Sequence, residues 1–177
     1  MQRKNSNKGF TLVEILIVVI ILGILAAIVI PQFSNASTDA KKNSLTSQLQ
    51  TLRSQFELYK LQHNDQLPPA FVAANNAIIT DWREMTSQTD VSGSTTPATT
   101  ADKYGPYLQQ EPANPLNGQK GVYVGTADVA FGDANPGGAN STGGFVMNKT
   151  TGKIWGTSAK TGYVYDESTP NSTLNDE

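Results

Sequence analysis

The 177-residue chain contains no cysteine and a single histidine, His63. Without cysteine it has no disulfide framework, no thiolate nucleophile and no cysteine-based zinc site, and one histidine excludes the two-histidine zinc motifs. His63 precedes the helix-stopping stretch Asn64-Asp65, so we predict a solvated side chain favourable to the helix dipole. A Ser-His-Asp triad would have to use this histidine, and no Walker A loop is present. We therefore predict that the chain is not an enzyme.

Charged residues are also sparse, with 13 Lys and Arg against 15 Asp and Glu. A nucleic-acid binder needs a strongly basic face, so this balance disfavours direct binding to nucleic acid. Three basic residues, Arg3, Lys4 and Lys8, lie ahead of the first apolar segment with no acidic residue among them. By the positive-inside rule they predict a cytoplasmic N-terminus and a remainder that lies outside the inner membrane.

One long apolar segment extends from Phe10 to Ile30 and is 21 residues long. As a helix it would cover roughly 31 Å, about the thickness of the hydrocarbon core of a bilayer. Glu14 lies inside this segment, where a carboxylate is costly unless it finds a partner. A secretory signal peptide, cut at Ala26-Ala27 or near Ser37, and a plain signal anchor are the alternatives, and neither explains Glu14.

The stretch Lys8-Gly9-Phe10-Thr11-Leu12-Val13-Glu14 resembles the processing site of type IV pilins and of the pseudopilins of type II secretion systems. The resemblance covers residues 1 to about 63. It implies that the prepilin peptidase, a membrane aspartyl protease, cuts between Gly9 and Phe10 and N-methylates Phe10. Glu14 then becomes the fifth residue of the mature chain, and Pro31 matches the proline that bends the family's long helix.

Cleavage would create a positively charged amino group on Phe10, at nearly the same membrane depth as Glu14. Opposite charges attract strongly where the dielectric constant is low, and leaving one of them unpaired is costly. We predict that Glu14 of one subunit meets the Phe10 amine of a neighbour and so fixes the register between subunits. The alternative is that Glu14 reaches the cytoplasmic interface alone.

Helical periodicity continues beyond Pro31 to about His63. The apolar positions step by 4, 3, 4 and 3 residues and form one stripe: Leu45, Leu49, Leu52, Phe56 and Tyr59. We predict that this stripe packs on the chain's own globular domain, with a separate coiled coil as the alternative. A second, shorter helix is predicted from Asn76 to about Ser87, capped by Asn75 or Asn76.

Short strands are predicted in the C-terminal half. Gly121–Val124 is one candidate, and Gly144–Met147 with Lys153–Trp155 has the pattern of a hairpin. Residues 89–101 and 128–144 are predicted to be exposed loops. The order of the segments 104–108 and 114–118 followed by the hairpin resembles G-type pseudopilins.

These elements predict an α+β, pilin-like fold in which a long N-terminal helix packs on a small antiparallel β-sheet. The predicted organisation is a leader at 1–9, a transmembrane helix at 10–30, the amphipathic half of the helix at 31–63, a globular domain at 64–165 and a disordered tail at 166–177.

Calcium is the one cofactor that the resemblance suggests, since G-type pseudopilins often bind Ca²⁺ in a C-terminal loop. The candidate ligands here are Asp128, Asp133, Asn135 and Asn140. Calcium takes six to eight oxygens, typically with several carboxylates, and this loop offers only two carboxylates. We therefore favour a polar turn-forming loop without a cofactor.

The resemblance implies a structural filament subunit with a single membrane pass and a periplasmic C-terminal domain. Its implied partners are the prepilin peptidase, membrane lipid, other copies of itself, minor pseudopilins and the inner-membrane assembly platform. A pseudopilus for type II protein secretion is our first expectation, and the absence of cysteine favours it because many type IV pilins carry a C-terminal disulfide loop. The alternative is a major type IV pilus subunit for adhesion, twitching motility or DNA uptake, and a membrane-anchored enzyme is the rival from another class.

Overall fold

The computed structural model describes residues 9–74, 76–96, 103–128, 143–158 and 164–168, except for the side chain of Pro31. The chain divides into two compact units, residues 1–40 and 41–177. Helix α1, Leu12–Gln62, runs through both units and is 51 residues long. The prediction of a helix from Phe10 to about His63 is confirmed to within two residues at the N-terminal end and one at the C-terminal end.

In the first unit, every side chain from Leu12 to Ile30 is exposed. This part of α1 is long and apolar enough to cross a membrane, and within the described ranges α1 is the one helix that meets this test. An apolar surface of this extent is costly in water and favourable in lipid.

The second unit begins with the C-terminal part of α1. It continues with α2 (Pro69–Ala73), β1 (Ala77–Ile79), α3 (Arg83–Thr86), β2 (Val122–Gly125), β3 (Phe145–Asn148) and β4 (Ile154–Gly156). Helix α1 ends where Asn64 and Asp65 adopt positive φ angles of 52° and 61°. The Asp65 amide donates to the Lys60 carbonyl at 2.8 Å and so satisfies one of the last carbonyls of the helix.

The predicted apolar stripe of α1 is buried in the core of this unit. Its five side chains are at most 1% exposed: Leu45, Leu49, Leu52, Phe56 and Tyr59. They share one cluster with Phe71 of α2, Trp82, Met85 of α3 and inward-facing strand residues such as Val122 and Ile154. The prediction that the stripe packs on the chain's own domain is confirmed.

The four strands form one sheet in the order β1-β2-β3-β4. Alternate residues face opposite sides, so that Val122, Val124 and Met147 join the α1 cluster while Tyr123, Val146 and Trp155 form a second one. The strand at Gly121–Val124 and the terminal hairpin are confirmed, with β3 and β4 pairing antiparallel.

The α+β class is confirmed, and two of the three strand pairs are antiparallel as predicted, but the sheet is mixed. Strands β2 and β3 run parallel, with Val122 opposite Phe145 and Val124 opposite Met147. A parallel pair needs a crossover connection of a dozen or more residues, and residues 126–144 supply that length.

The predicted helix from Asn76 to Ser87 is wrong. Ala77–Ile79 form the edge strand β1 instead, which pairs antiparallel with β2. Only Arg83–Thr86 are helical, and Trp82, rather than Asn75 or Asn76, precedes that turn. Asn76 has φ 48°, outside the helical region, and the β-branched pair Ile78-Ile79 favours an extended strand.

The segment after Tyr165 is ordered further than predicted. Arg53 of α1 donates to both carboxylate oxygens of Glu167, from Nη1 at 2.9 Å and from Nη2 at 2.5 Å. It also donates to the Ile154 carbonyl of β4. This fork joins α1, β4 and the C-terminal segment as far as Ser168, whereas residues 169–177 of the predicted tail lie outside the described ranges.

Candidate assembly site at the N-terminus

The residues that the sequence singled out lie in the first turn of α1 and just before it. Gly9 and Phe10 lie outside the helix and are exposed, with 82% of Phe10 accessible. Thr11 is the residue immediately before Leu12, where the helix begins. Glu14 is the third helical residue and is also exposed. The structure therefore brings the predicted cleavage point and the predicted pairing carboxylate within one helical turn.

Thr11 and Glu14 form three hydrogen bonds at the start of α1, with each residue both donating and accepting. The Thr11 amide and hydroxyl both donate to Oε2 of Glu14, at 3.1 and 3.0 Å. The Glu14 amide in turn donates to Oγ1 of Thr11 at 3.3 Å. This arrangement is a capping box, which satisfies two amides that the first turn of a helix otherwise leaves unpaired.

The capping box gives Thr11 a function that our sequence analysis missed. Its signal is present in the sequence, since Thr-x-x-Glu directly precedes an apolar run. Cutting before Phe10 would leave the peptide between Phe10 and Thr11 intact, so the Thr11 amide would still donate. Among the described residues, both hydrogen bonds that Thr11 donates to Glu14 go to the same oxygen, Oε2.

Pro31 lies inside α1, and the helix continues through it. A proline removes one backbone hydrogen bond in a helix and tends to bend it. The bend at Pro31 stays a prediction.

The prediction of a solvated His63 is wrong, because this side chain is only 1% exposed. Its ring stacks on Tyr59 with 3.7 Å between centroids. Nδ1 donates to the Tyr59 carbonyl at 2.8 Å, and Nε2 lies 2.9 Å from the Thr89 hydroxyl. Both ring nitrogens are therefore engaged in a structural contact.

Thr89, which was predicted to begin an exposed loop, is buried as well and pairs with the backbone of Tyr104.

Asp128, the first predicted calcium ligand, is held by neighbouring side chains. Its Oδ2 accepts a hydrogen bond from the Lys153 ammonium at 2.6 Å, and its Oδ1 accepts one from the Asn148 amide at 2.6 Å. Hydrogen bonding from Lys153, and then from Asn148, lowers the pKa of Asp128. Asp133, Asn135 and Asn140 lie outside the described residues.

The described ranges contain no group of three or more His, Cys, Asp or Glu side chains that could hold a metal ion. At Asp128 the nearest charge is the Lys153 ammonium, so a divalent cation there would have to displace it. Because the other three predicted ligands lie outside the described residues, the choice between a calcium site and a turn-forming loop without a cofactor stays a prediction.

Comparison with known proteins finds similarity over about a third of the chain. Residues 4–30 match the family model described as the prokaryotic N-terminal methylation motif. Type II secretion system core protein G of Klebsiella michiganensis is 37% identical over 62 residues, which are 35% of this chain and 44% of that protein. Its counterpart in Pseudomonas aeruginosa is 41% identical over 63 residues, 36% of this chain and 44% of that protein.

A type IV fimbrial protein is similar to this chain over a stretch of comparable length. The type IV major fimbrial protein FimA of Dichelobacter nodosus is 44% identical over 54 residues, 30% of this chain and 35% of that protein. The chain thus matches less than half the length of these curated relatives. No solved structure matches the chain.

Proposed function

We propose that this chain, which carries the N-terminal methylation motif shared by type IV pilins and pseudopilins, is a structural subunit of a helical filament. The observation that carries the proposal is Glu14, an acidic residue inside an exposed apolar helix and one turn from Gly9-Phe10. A helix meant only for lipid would use this carboxylate for the capping box alone, at the cost of a charge inside an apolar segment. In a helix that packs against its own copies, the carboxylate can pair with a neighbouring copy and so fix the register between the two.

Processing prepares this site chemically. A protease can approach Gly9 closely because glycine has no Cβ, and no atom outside its immediate neighbours lies within 4 Å of the position where a Cβ would be. Cleavage converts the amide nitrogen of Phe10 into a basic amine, and N-methylation retains its positive charge. The capping box holds Glu14 by one oxygen, Oε2, and leaves Oε1 for the amine of a neighbouring subunit.

The pairing of Glu14 with a neighbour's amine matters more in the filament than in the membrane. A carboxylate near the end of a membrane helix can still reach water at the interface. Between packed helices that route is closed, so an unpaired charge becomes costly and a neighbour's amine becomes the favourable partner. Because the amine and the carboxylate lie one turn apart in the sequence, their pairing selects one axial stagger between copies.

The proposed topology follows from the charges and the apolar segment. Arg3, Lys4 and Lys8 remain on the cytoplasmic side before cleavage. The single apolar helix crosses the inner membrane, and the domain that begins near Lys41 lies in the periplasm. The partners in this proposal are the prepilin peptidase, membrane lipid, further copies of the chain, minor pseudopilins and the inner-membrane assembly platform.

Of the two kinds of filament, we propose the pseudopilus of a type II secretion system. Similarity to several core G proteins of such systems supports it, and so does the absence of cysteine. A type IV pilus is the second candidate, which the fimbrial relative favours. Genes for a secretin and a secretion ATPase beside this gene, without a retraction ATPase, would support the first candidate, and a retraction ATPase there would support the second.

Variants of Glu14 test the proposal in a strain that lacks the native gene. Glu14→Gln removes the charge yet retains an acceptor for Thr11, so the capping box persists. Glu14→Leu removes both. We expect both variants to enter the membrane and to be cleaved after Gly9, and both to fail in filament formation. The loss of one member of a buried charge pair costs about 3–5 kcal/mol.

Glu14→Asp is the matched control, because it retains the charge but shortens the reach, and we expect an intermediate yield of filaments. The measurement compares the protein in the membrane fraction with the protein in sheared filaments. Filament formation by Glu14→Gln but not Glu14→Leu would assign Glu14 to helix capping alone. Normal yields from both would contradict pairing altogether.

A further inference from the structure

A groove opens on the surface of the second unit between the end of α1, helix α2 and the turn at residues 90–93. Its volume is about 320 Å³, and its lining includes Pro69, Val72 and Val91. Val72 and Val91 are 42% and 43% exposed. A cavity of about 150 Å³ already accommodates benzene, so this groove is large enough for an aliphatic side chain. Its walls are mainly apolar.

The same end of α1 carries an apolar side chain that is largely exposed. Leu61 is 81% exposed, the most exposed leucine or valine of the second unit among the described residues. It lies two positions from Tyr59 and two from His63, both of which line the groove. Two positions along an α-helix correspond to a rotation of about 200°. Leu61 therefore lies on the opposite side of α1 from the groove and cannot enter the groove of its own chain.

Charged groups beside these two features are complementary. Glu57 lies one turn before Leu61, and Asp65 follows α1; their side chains are 67% and 86% exposed. Both carboxylates lie near the single ammonium of Lys60, at 3.6 and 3.5 Å, so this group of three keeps one net negative charge. Beside the groove, the Lys149 ammonium donates to the carbonyls of Ala74 at 2.9 Å and Val72 at 3.5 Å. No carboxylate of a described residue pairs with it. Across the groove, the Asp90 carboxylate is occupied by hydrogen bonds from Ser92 and Ser94.

We propose that Leu61 of one copy of the chain enters the groove of a second copy, with Glu57 of the first copy facing Lys149 of the second. This contact joins two different surfaces of the same molecule. Contacts of this kind do not close on themselves unless the rotation completes a ring, and they otherwise continue into helical filaments. The inference rests on the proposed filament function and assigns that filament a contact outside the apolar helix.

Disulfide crosslinking tests the contact in the full-length chain, which has no cysteine of its own. A variant with both Leu61→Cys and Val91→Cys, assembled into filaments and oxidised, should give a ladder of multimers on a denaturing gel. Each single variant should give no ladder. The matched control is Gln50→Cys with Val91→Cys, because Gln50 is exposed on the same side of α1 but lies roughly 16 Å further back along the helix.

The crosslinking results distinguish failure of the proposed contact from failure of the proposed filament function. Dimers from Leu61→Cys alone would show that this leucine meets its own counterpart and would overturn the contact. Filaments without a ladder from the Leu61–Val91 pair would overturn it as well, although the filament function would stand. Absence of filaments even from the unsubstituted chain would instead overturn the proposed function.

Charge reversal supplies an independent measurement of the same contact. Glu57→Lys and Lys149→Glu should each lower the filament yield, because each places like charges together. The double variant should restore part of the yield. Loss in both single variants without recovery in the double variant would contradict the pairing of Glu57 with Lys149.

Discussion

Among single residues, Arg53 joins three segments of the second unit, namely α1, β4 and the C-terminal segment. Its planar guanidinium makes two hydrogen bonds to Glu167 and two to the Ile154 carbonyl. Lysine can carry the same charge but cannot reproduce this fork. The C-terminal segment therefore depends on the shape of this side chain as well as on its charge.

We expect Arg53→Lys to destabilise the second unit by roughly 1.5–3 kcal/mol, the usual range for hydrogen bonds to charged groups. Arg53→Met should cost more, since it leaves Glu167 without a cation. Tryptophan fluorescence during thermal unfolding of the full-length protein in detergent measures this loss, because both tryptophans, Trp82 and Trp155, lie in this unit. An unchanged melting temperature of Arg53→Met would show that the hydrogen bonds of Arg53 contribute nothing to the stability of the second unit.

Asp128 should make stability depend on pH. Its hydrogen bonds from Lys153 and Asn148 lower its pKa in the folded protein. A depressed carboxyl pKa contributes stability above the unfolded value of about 3.9 and loses it as the pH falls through the folded value. We expect the melting temperature of the parent to fall more steeply in acid than that of Asp128→Asn. Parallel curves for the two proteins would contradict this role.

At the scale of elements, the structure separates what local patterns determine from what long-range contacts determine. The stripe from Leu45 to Tyr59 and the β3–β4 hairpin follow from periodicity and turn chemistry within short stretches. Strand β1 does not, because the spacing of Ile78, Trp82 and Met85 also fits a helix. Its pairing partner, β2, is more than forty residues away in the sequence.

Two further errors have the same physical origin. The parallel pairing of β2 with β3 depends on the path of residues 126–144, whose composition carries no signal for strand direction. Burial of His63 depends on Thr89 and on the aromatic rings of Tyr104 and Tyr107, which the position of His63 at a helix end does not reveal. The N-terminal site differs, because its geometry depends on residues that are neighbours in the sequence: Gly9, Phe10, Thr11 and Glu14.

The end of the β3–β4 hairpin should be independent of calcium. Lys153 supplies the positive charge beside Asp128, and we propose that it takes the place a cation would need. Adding millimolar Ca²⁺ or a chelator should therefore leave the melting temperature unchanged. A ligand at 100 times its dissociation constant would add about 2.7 kcal/mol of stability. A rise in melting temperature with Ca²⁺ that a chelator reverses would contradict this account.

At the scale of the whole molecule, one helix serves two chemically different environments. From Leu12 to Ile30, α1 is apolar and exposed on every side, whereas from Leu45 to Tyr59 it buries a single stripe in a folded unit. The first part needs a cover such as lipid or other subunits, because an exposed apolar surface of this length is costly in water. Together with the predicted processing site at Gly9-Phe10, this division agrees with our proposal of a subunit that leaves the membrane to join a filament.

Mass spectrometry of the chain recovered from sheared filaments tests the central claim most directly. We predict a protein that begins at Phe10 and carries one N-methyl group, and we predict that Gly9→Val leaves the leader attached and gives no filaments. A chain that begins near Ser37 would establish a secretory signal peptide. A chain found only in the membrane fraction, with residues 1–9 intact, would contradict processing and assembly together.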